Sequence, residues 1–164
     1  MKTLLLGLGN PILRDDGVGI KVAREVDRRV DSSWIEVTEA CTAGLDLLEL
    51  IQGYTKVVLI DSIQVKGRRP GEIFLLDLND LKTTIRLTSP HDVNLATAME
   101  LGRKLGLPLP QEIKIYAIQV EDISTFDEDC SPTVKRAISE IAEKIIQEEG
   151  WGEERSPEPM PVAE

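Results

Sequence analysis

Between residues 7 and 19 the chain reads Gly7-Leu8-Gly9-Asn10-Pro11-Ile12-Leu13-Arg14-Asp15-Asp16-Gly17-Val18-Gly19, and this stretch restricts the fold more than any other. It leaves a short continuous apolar run, Thr3 to Leu6, and enters a segment with Val18, Val22, Val26 and Val30 at a spacing of four. The run, taken from Lys2 to Leu6, reads as a strand buried on both faces of a parallel sheet. The segment from about Gly17 to Val30 reads as a helix lying on that sheet. Gly7 and Gly9 allow a tight exit from the strand, and Gly17 and Gly19 allow the helix to begin close to it. Two adjacent carboxylates stand in this constrained connection. The expectation is that one caps the helix, favoured by its positive end, while the other projects into a crevice.

Gly7-x-Gly9 after a strand also opens the dinucleotide-binding fingerprint. That fingerprint needs a third glycine where this chain has Ile12, and Asp15 and Asp16 would set negative charge where phosphates belong. Nucleotide binding is therefore disfavoured.

The rest of the chain continues the alternation. Ile35 to Thr38 reads as a second strand, Leu45 to Ile51 as a short helix closed by Gly53, and Lys56 to Ile60 as a third strand ending on Asp61. Then Lys66-Gly67-Arg68-Arg69-Pro70-Gly71 forms a turn-rich basic loop, and Glu72 to Leu76 makes a strand with no helix before it. Lacking a crossover, that strand is expected antiparallel and at an edge. Ser89-Pro90-His91-Asp92 marks a helix start, with Ser89 as cap and Pro90 at the first position, running through Leu95, Ala98, Met99 and Leu105 to near Gly106. Glu112 to Val120 is a fifth strand, and Ser131-Pro132 starts a last helix with Val134, Ile138, Ile141 and Ile145 as its apolar stripe. The expected fold is α/β: a three-layer sandwich with a five-stranded, mostly parallel twisted sheet, one antiparallel edge strand and helices on both faces.

A length of 164 residues suits one domain. The expected division is a single α/β domain over 1–150 and a flexible acidic, Pro-rich tail over 151–164. From Gln147 to Glu164 there are six glutamates and one arginine, half of the net charge of −10. An acidic chain of this kind argues against a nucleic-acid partner. No apolar run is long enough for a transmembrane helix, and the early Arg14-Asp15-Asp16 argues against a signal peptide. Cys41 and Cys130 form no metal or disulfide pattern, so a reducing, cytoplasmic setting without membrane attachment is expected. The basic loop Lys66 to Arg69 is read as a solvated hairpin tip.

In open α/β sheets, ligands bind beyond the carboxyl ends of the strands, where the strand order reverses. With the first and third strands as neighbours, Asp16 and Asp61 face one crevice, and His91 opens a helix at the same end. The helix dipole favours a neutral imidazole there. Two carboxylates and an imidazole suit a borderline divalent ion with open positions. A Cys41 and His91 dyad is a weaker alternative.

These residues resemble the hydrogenase maturation proteases, endopeptidases that trim the C-terminus of the large subunit of nickel-iron hydrogenases. The resemblance rests on Gly7 to Asn10 through Asp15-Asp16-Gly17-Val18-Gly19, Thr42-Ala43-Gly44, Leu59-Ile60-Asp61-Ser62-Ile63, Pro70-Gly71 and Ser89-Pro90-His91, in the family's order up to about residue 147. It implies that Asp16, Asp61 and His91 contact the metal and carry catalysis, and that Glu39, Thr42 and Gly44 contact substrate. Members commonly show Asp-Gly-Gly-Thr-x-Gly where this chain has Glu39-Ala40-Cys41-Thr42-Ala43-Gly44. The implied activity is nickel-dependent removal of a C-terminal extension from a hydrogenase large-subunit precursor, the nickel being supplied by that precursor. Two alternatives stand beside it. The triplet could hold its own divalent metal and activate water, although no H-E-x-x-H is present. Otherwise the chain could be a metal-sensing chaperone that docks the precursor without cutting.

Overall fold

The structure is a computed structural model that describes residues 2–31, 33–41, 45–78 and 90–152, with backbone alone at 45 and 90–94. In chain order the described elements are β1 (Thr3–Leu8), a 3-10 turn (Arg14–Gly17), α1 (Val18–Arg29), β2 (Ile35–Ala40), α2 (Leu45–Ile51), β3 (Lys56–Ile63), β4 (Ile73–Leu76), α3 (Pro90–Lys104), β5 (Glu112–Gln119) and α4 (Pro132–Glu149).

The sheet order is β2-β1-β3-β5-β4. β1 pairs in parallel with both β2 and β3, and β3 pairs in parallel with β5. β4 lies antiparallel on β5 at the edge, as a strand reached without a crossover helix must. The order reverses at β1, which makes the neighbouring carboxyl ends of β1 and β3 the natural crevice.

Strand alternation sorts the core into two layers. Leu5, Val58, Ile60, Tyr116 and Ile118 face α1 and α4, meeting Val22, Val26, Val134, Ile141 and Ile145. Leu4, Leu6, Leu59, Ile63 and Ile115 face α2 and α3, meeting Leu47, Ile51, Leu95 and Met99. Each such buried side chain contributes roughly 1.5–3 kcal/mol from lost water contact, so the two layers together hold the sheet between its helices. Gly19 explains the closeness of α1: a Cβ there would stand 2.5 Å from the Leu8 carbonyl oxygen and press on that of Ile60.

Several expected boundaries shift. β1 and β2 extend two residues further, to Leu8 and Ala40. β3 runs through Asp61 and Ser62 to Ile63, so Asp61 lies within the strand rather than ending it. Leu105, expected on the core stripe, falls after α3 ends at Lys104 and is exposed. Trp151, expected to open the tail, packs against the α1/α4 core layer, so the body extends past residue 150. From residue 153 on the expected tail lies outside the described residues, as does Ser89.

Candidate active site

The loop after β1 is shaped by Gly9, whose φ of 143° is one that side chains rarely adopt and whose missing Cβ leaves room for the Asp16 carbonyl. Its N–H donates to the Ala40 carbonyl at 3.1 Å, tying the loop to the end of β2. The Asn10 side chain accepts from the Ile12 N–H at 3.2 Å, and the Asn10 N–H donates to Asp16 Oδ2 at 3.0 Å. Asp16 is thereby folded back over its own loop.

Asp15 and Asp16 part company here. Asp15 is 0% exposed, and its carboxylate accepts from the N–H groups of Glu121, Asp122 and Ser131 and from the Ser131 hydroxyl, at 2.6–3.2 Å. It fastens the β1 loop to the β5–α4 connection. Neither aspartate caps α1, whose N-cap is Gly17 without a side-chain bond. Ser131 does hold the N-cap position of α4, but its hydroxyl donates to Asp15 instead of capping its own helix.

Asp16, partly buried, reaches β3. Ser62 Oγ donates to Asp16 Oδ1 at 3.2 Å, while the Ser62 N–H donates to Asp61 Oδ1 at 2.8 Å. One serine thus joins both expected carboxylates at the carboxyl edge. Asp61 is 0% exposed. By the strand alternation its side chain shares a face with Leu59 and Ile63, the face packed by α3. His91 falls in the first turn of α3, as expected, though its side chain lies outside the described set. Among the described residues no three of His, Cys, Asp and Glu gather as a metal site. The two carboxylates supply hard oxygen donors, a set that accepts nickel or zinc once an imidazole joins it.

Glu39 pairs with Gly7 across β1 and β2. Its carboxylate takes both nitrogens of the Arg24 fork, at 2.8 and 2.6 Å. Those hydrogen bonds hold its pKa below the usual carboxylate range against a smaller opposing push from burial. Thr42 and Gly44 lie outside the described residues. Cys41 is exposed. Cys130 is buried, which pushes its thiol up to about 11, and it donates weakly to the Arg14 carbonyl.

Three features escaped sequence reasoning. Ser62 gave no signal beyond its place beside Asp61. Gln119 clips the turn after β3, its Oε1 accepting from the Val65 N–H at 3.0 Å and its Nε2 donating to the Val65 carbonyl at 3.2 Å. Arg14 is, among the described residues, the one non-glycine with a left-handed φ, 45°. In the basic loop, residues 66–69 are exposed and Arg68 lies over the Phe74 ring; the loop is solvated, but it is not the expected hairpin tip, because β5 lies between β3 and β4 and the connection passes over to the far edge.

A family model described as HycI, hydrogenase maturation protease, matches residues 20–148. The hydrogenase 2 maturation protease of Escherichia coli is 24% identical over 148 residues, covering 89% of each chain. Among solved structures, the hydrogenase maturating endopeptidase HybD from E. coli is similar with a TM-score of 0.75 at 25% identity, over 92% of this chain and 94% of that one. The [NiFe] hydrogenase maturation protease HybD from Thermococcus kodakarensis is similar with a TM-score of 0.66 at 26% identity, over 90% and 98%.

Proposed function

The chain belongs to the hydrogenase maturation protease family, and from that premise we propose that it removes the C-terminal extension of a nickel-iron hydrogenase large-subunit precursor, acting once nickel is in place. It is a peptide-bond hydrolase. The nickel enters as part of the substrate, and Asp16, Asp61 and His91 are the groups that meet it. Glu39, Thr42 and Gly44 are the residues assigned to contact the polypeptide.

The observation that supports this reading most is Ser62 joined to both Asp16 and Asp61. Two carboxylates linked through one residue of a rigid strand keep their spacing when substrate arrives, so little ordering is left for the encounter itself. Their roles differ by exposure. Asp61 is buried and fixed, suited to present an oxygen donor at a set position. Asp16 is partly open, and each of its oxygens accepts one described hydrogen bond, which leaves lone pairs for a metal or a water proton. Hydrolysis adds water across the amide, hydroxyl to the acyl carbon and proton to the departing amine. The protein's part is to hold the reacting carbonyl and the water together and to move that proton.

The test is intact-mass spectrometry of purified precursor, loaded with nickel or not, after incubation with wild-type protein and with Asp16→Asn, Asp61→Asn and His91→Gln. Wild type shortens the loaded precursor only, and each variant leaves it whole while keeping its circular dichroism. A triple variant that still trims would remove the proposed site. Equal trimming of nickel-free precursor would remove the nickel dependence.

A further inference from the structure

Phe126 is 80% exposed, and Ile12, at 48%, holds the equivalent position across a short backbone pairing. Leu13 and Asp127 form an isolated parallel bridge, so Ile12 and Phe126, each one residue before it, share a register level. The bond from the Leu13 N–H to the Asn10 carbonyl makes Ile12 part of a tight turn on this pairing. A lone exposed apolar residue is ordinary; two on neighbouring segments tied together by backbone hydrogen bonds are less so.

The support is firm. The Asp127 N–H donates to the Ile12 carbonyl at 3.0 Å, and the Arg14 N–H donates to the Asp127 carbonyl at 2.9 Å. The Asp122 carboxylate accepts from the N–H groups of Ser124 and Thr125 and, at 2.6 Å, from the Thr125 hydroxyl. Asp15 then fastens both ends of this connection, at Asp122 and at Ser131. On so constrained a loop the backbone beneath the aromatic residue is already ordered, which lowers the entropy lost when a partner covers it.

Position and charge indicate the partner. Ile12 lies in the same loop as Asp16, four residues before it. Segment 121–129 carries Glu121, Asp122, Asp127, Glu128 and Asp129 and no lysine or arginine; Arg14 pairs with Asp122 and Lys135 with Asp129, and Glu121, Asp127 and Glu128 leave the surroundings of the two apolar residues net acidic. We propose that Ile12 and Phe126 form a docking platform for the precursor polypeptide beside its scissile bond, receiving an apolar side chain while basic residues of the precursor meet these acidic surroundings. This rests on the site reading above.

Both residues are exposed, so Phe126→Ser and Ile12→Ser leave the fold intact, which an unchanged melting temperature checks. Cleavage kinetics over a range of nickel-loaded precursor concentrations should show KM raised about tenfold in the double variant, with kcat within about twofold of wild type. Phe126→Leu should recover part of the loss, and added salt should raise the wild-type KM. Precursor binding, followed separately by biolayer interferometry, reads docking alone. Weakened binding in the double variant where even wild type cleaves nothing would keep the platform and sink the protease site. Unchanged KM and unchanged binding alongside normal wild-type cleavage would overturn the platform. So would sedimentation showing a wild-type dimer that the double variant converts to monomer, since the patch would then face a second copy of this chain.

Discussion

Asp15 and Ser131, 116 positions apart, are joined twice: the Ser131 N–H donates to Asp15 Oδ1 at 2.6 Å and its hydroxyl to Asp15 Oδ2 at 2.8 Å. With the bonds from Glu121 and Asp122, this buried carboxylate holds together the loop that carries Asp16 and the connection that carries Phe126. Removing it strands the buried N–H and hydroxyl of Ser131 and releases the part-buried N–H groups of Glu121 and Asp122. Asp15→Ala is therefore expected to lower stability by about 3–5 kcal/mol, measured by urea unfolding. Asp16→Asn should lower it by no more than about 1 kcal/mol. Equal losses for the two would refute the division of labour between them.

Gly19 faces a different constraint. Its added Cβ would meet two strand carbonyls, Leu8 and Ile60, which are held in the sheet ladder and cannot retreat as a flexible side chain could. Gly19→Ala should lift the start of α1 and cost about 3 kcal/mol, the upper end of what overpacking a core by a methyl group costs. A melting temperature equal to wild type would show that the helix can slide without loss.

The fold was legible where hydrophobic period and connection length agreed. Thr3 to Leu6 and Val57 to Ile60 are unbroken apolar runs, which is what burial on both faces requires. The absence of a helix before Ile73 was enough to turn that strand antiparallel. Legibility failed where site chemistry interrupts the pattern. β3 continues through Asp61 and Ser62, but two polar residues ending an apolar run look like its end, and such local conflicts gather where function sits. The separate fates of Asp15 and Asp16 were hidden because the donors that claim Asp15 lie more than a hundred positions away. The pairing of Asp16 with Asp61 was inferred from winding alone, but Ser62 as the link between them needed coordinates.

Glu39 and Arg24 form a two-pronged ion pair with both side chains about half exposed. Such a pair contributes roughly 0–1 kcal/mol, so its effect should fall on substrate rather than on the fold. Glu39→Gln and Arg24→Ala should each leave the melting temperature unchanged and raise KM about threefold, an effect that fades at high salt as rim charges do. Unaltered kinetics in both variants would remove Glu39 from the substrate path.

At the opposite end of the sheet, where β3 and β5 begin, the buried Glu149 carboxylate accepts from Lys56, from Lys114 at 3.1 Å and from the Tyr116 hydroxyl at 2.7 Å. Burial is the largest single influence on Glu149 and pushes its pKa up. The hydrogen bonds from Lys56, Tyr116 and Lys114 together outweigh it and leave the net shift downward. A lowered folded value means a stabilising contribution present above the ordinary carboxylate pKa of about 4.3 and lost as pH falls through the folded value. Tyr116 is shifted the other way, first by burial and then by Glu149. Its contribution is complete below about pH 10 and is lost as pH rises beyond it. Unfolding free energy should therefore decline on both the acid and the alkaline side. Glu149→Gln should flatten the acid limb and Tyr116→Phe the alkaline one. Glu149→Ala, which leaves two lysines facing an emptied site, should cost about 3 kcal/mol near neutrality. Because the cluster is remote from the carboxyl edge, Glu149→Gln should leave kcat and KM unchanged at temperatures where the variant stays folded. Urea titrations from pH 3 to pH 11, run beside precursor-cleavage assays, read both limbs, and an acid limb as steep in Glu149→Gln as in wild type would place the sensitivity in other carboxylates.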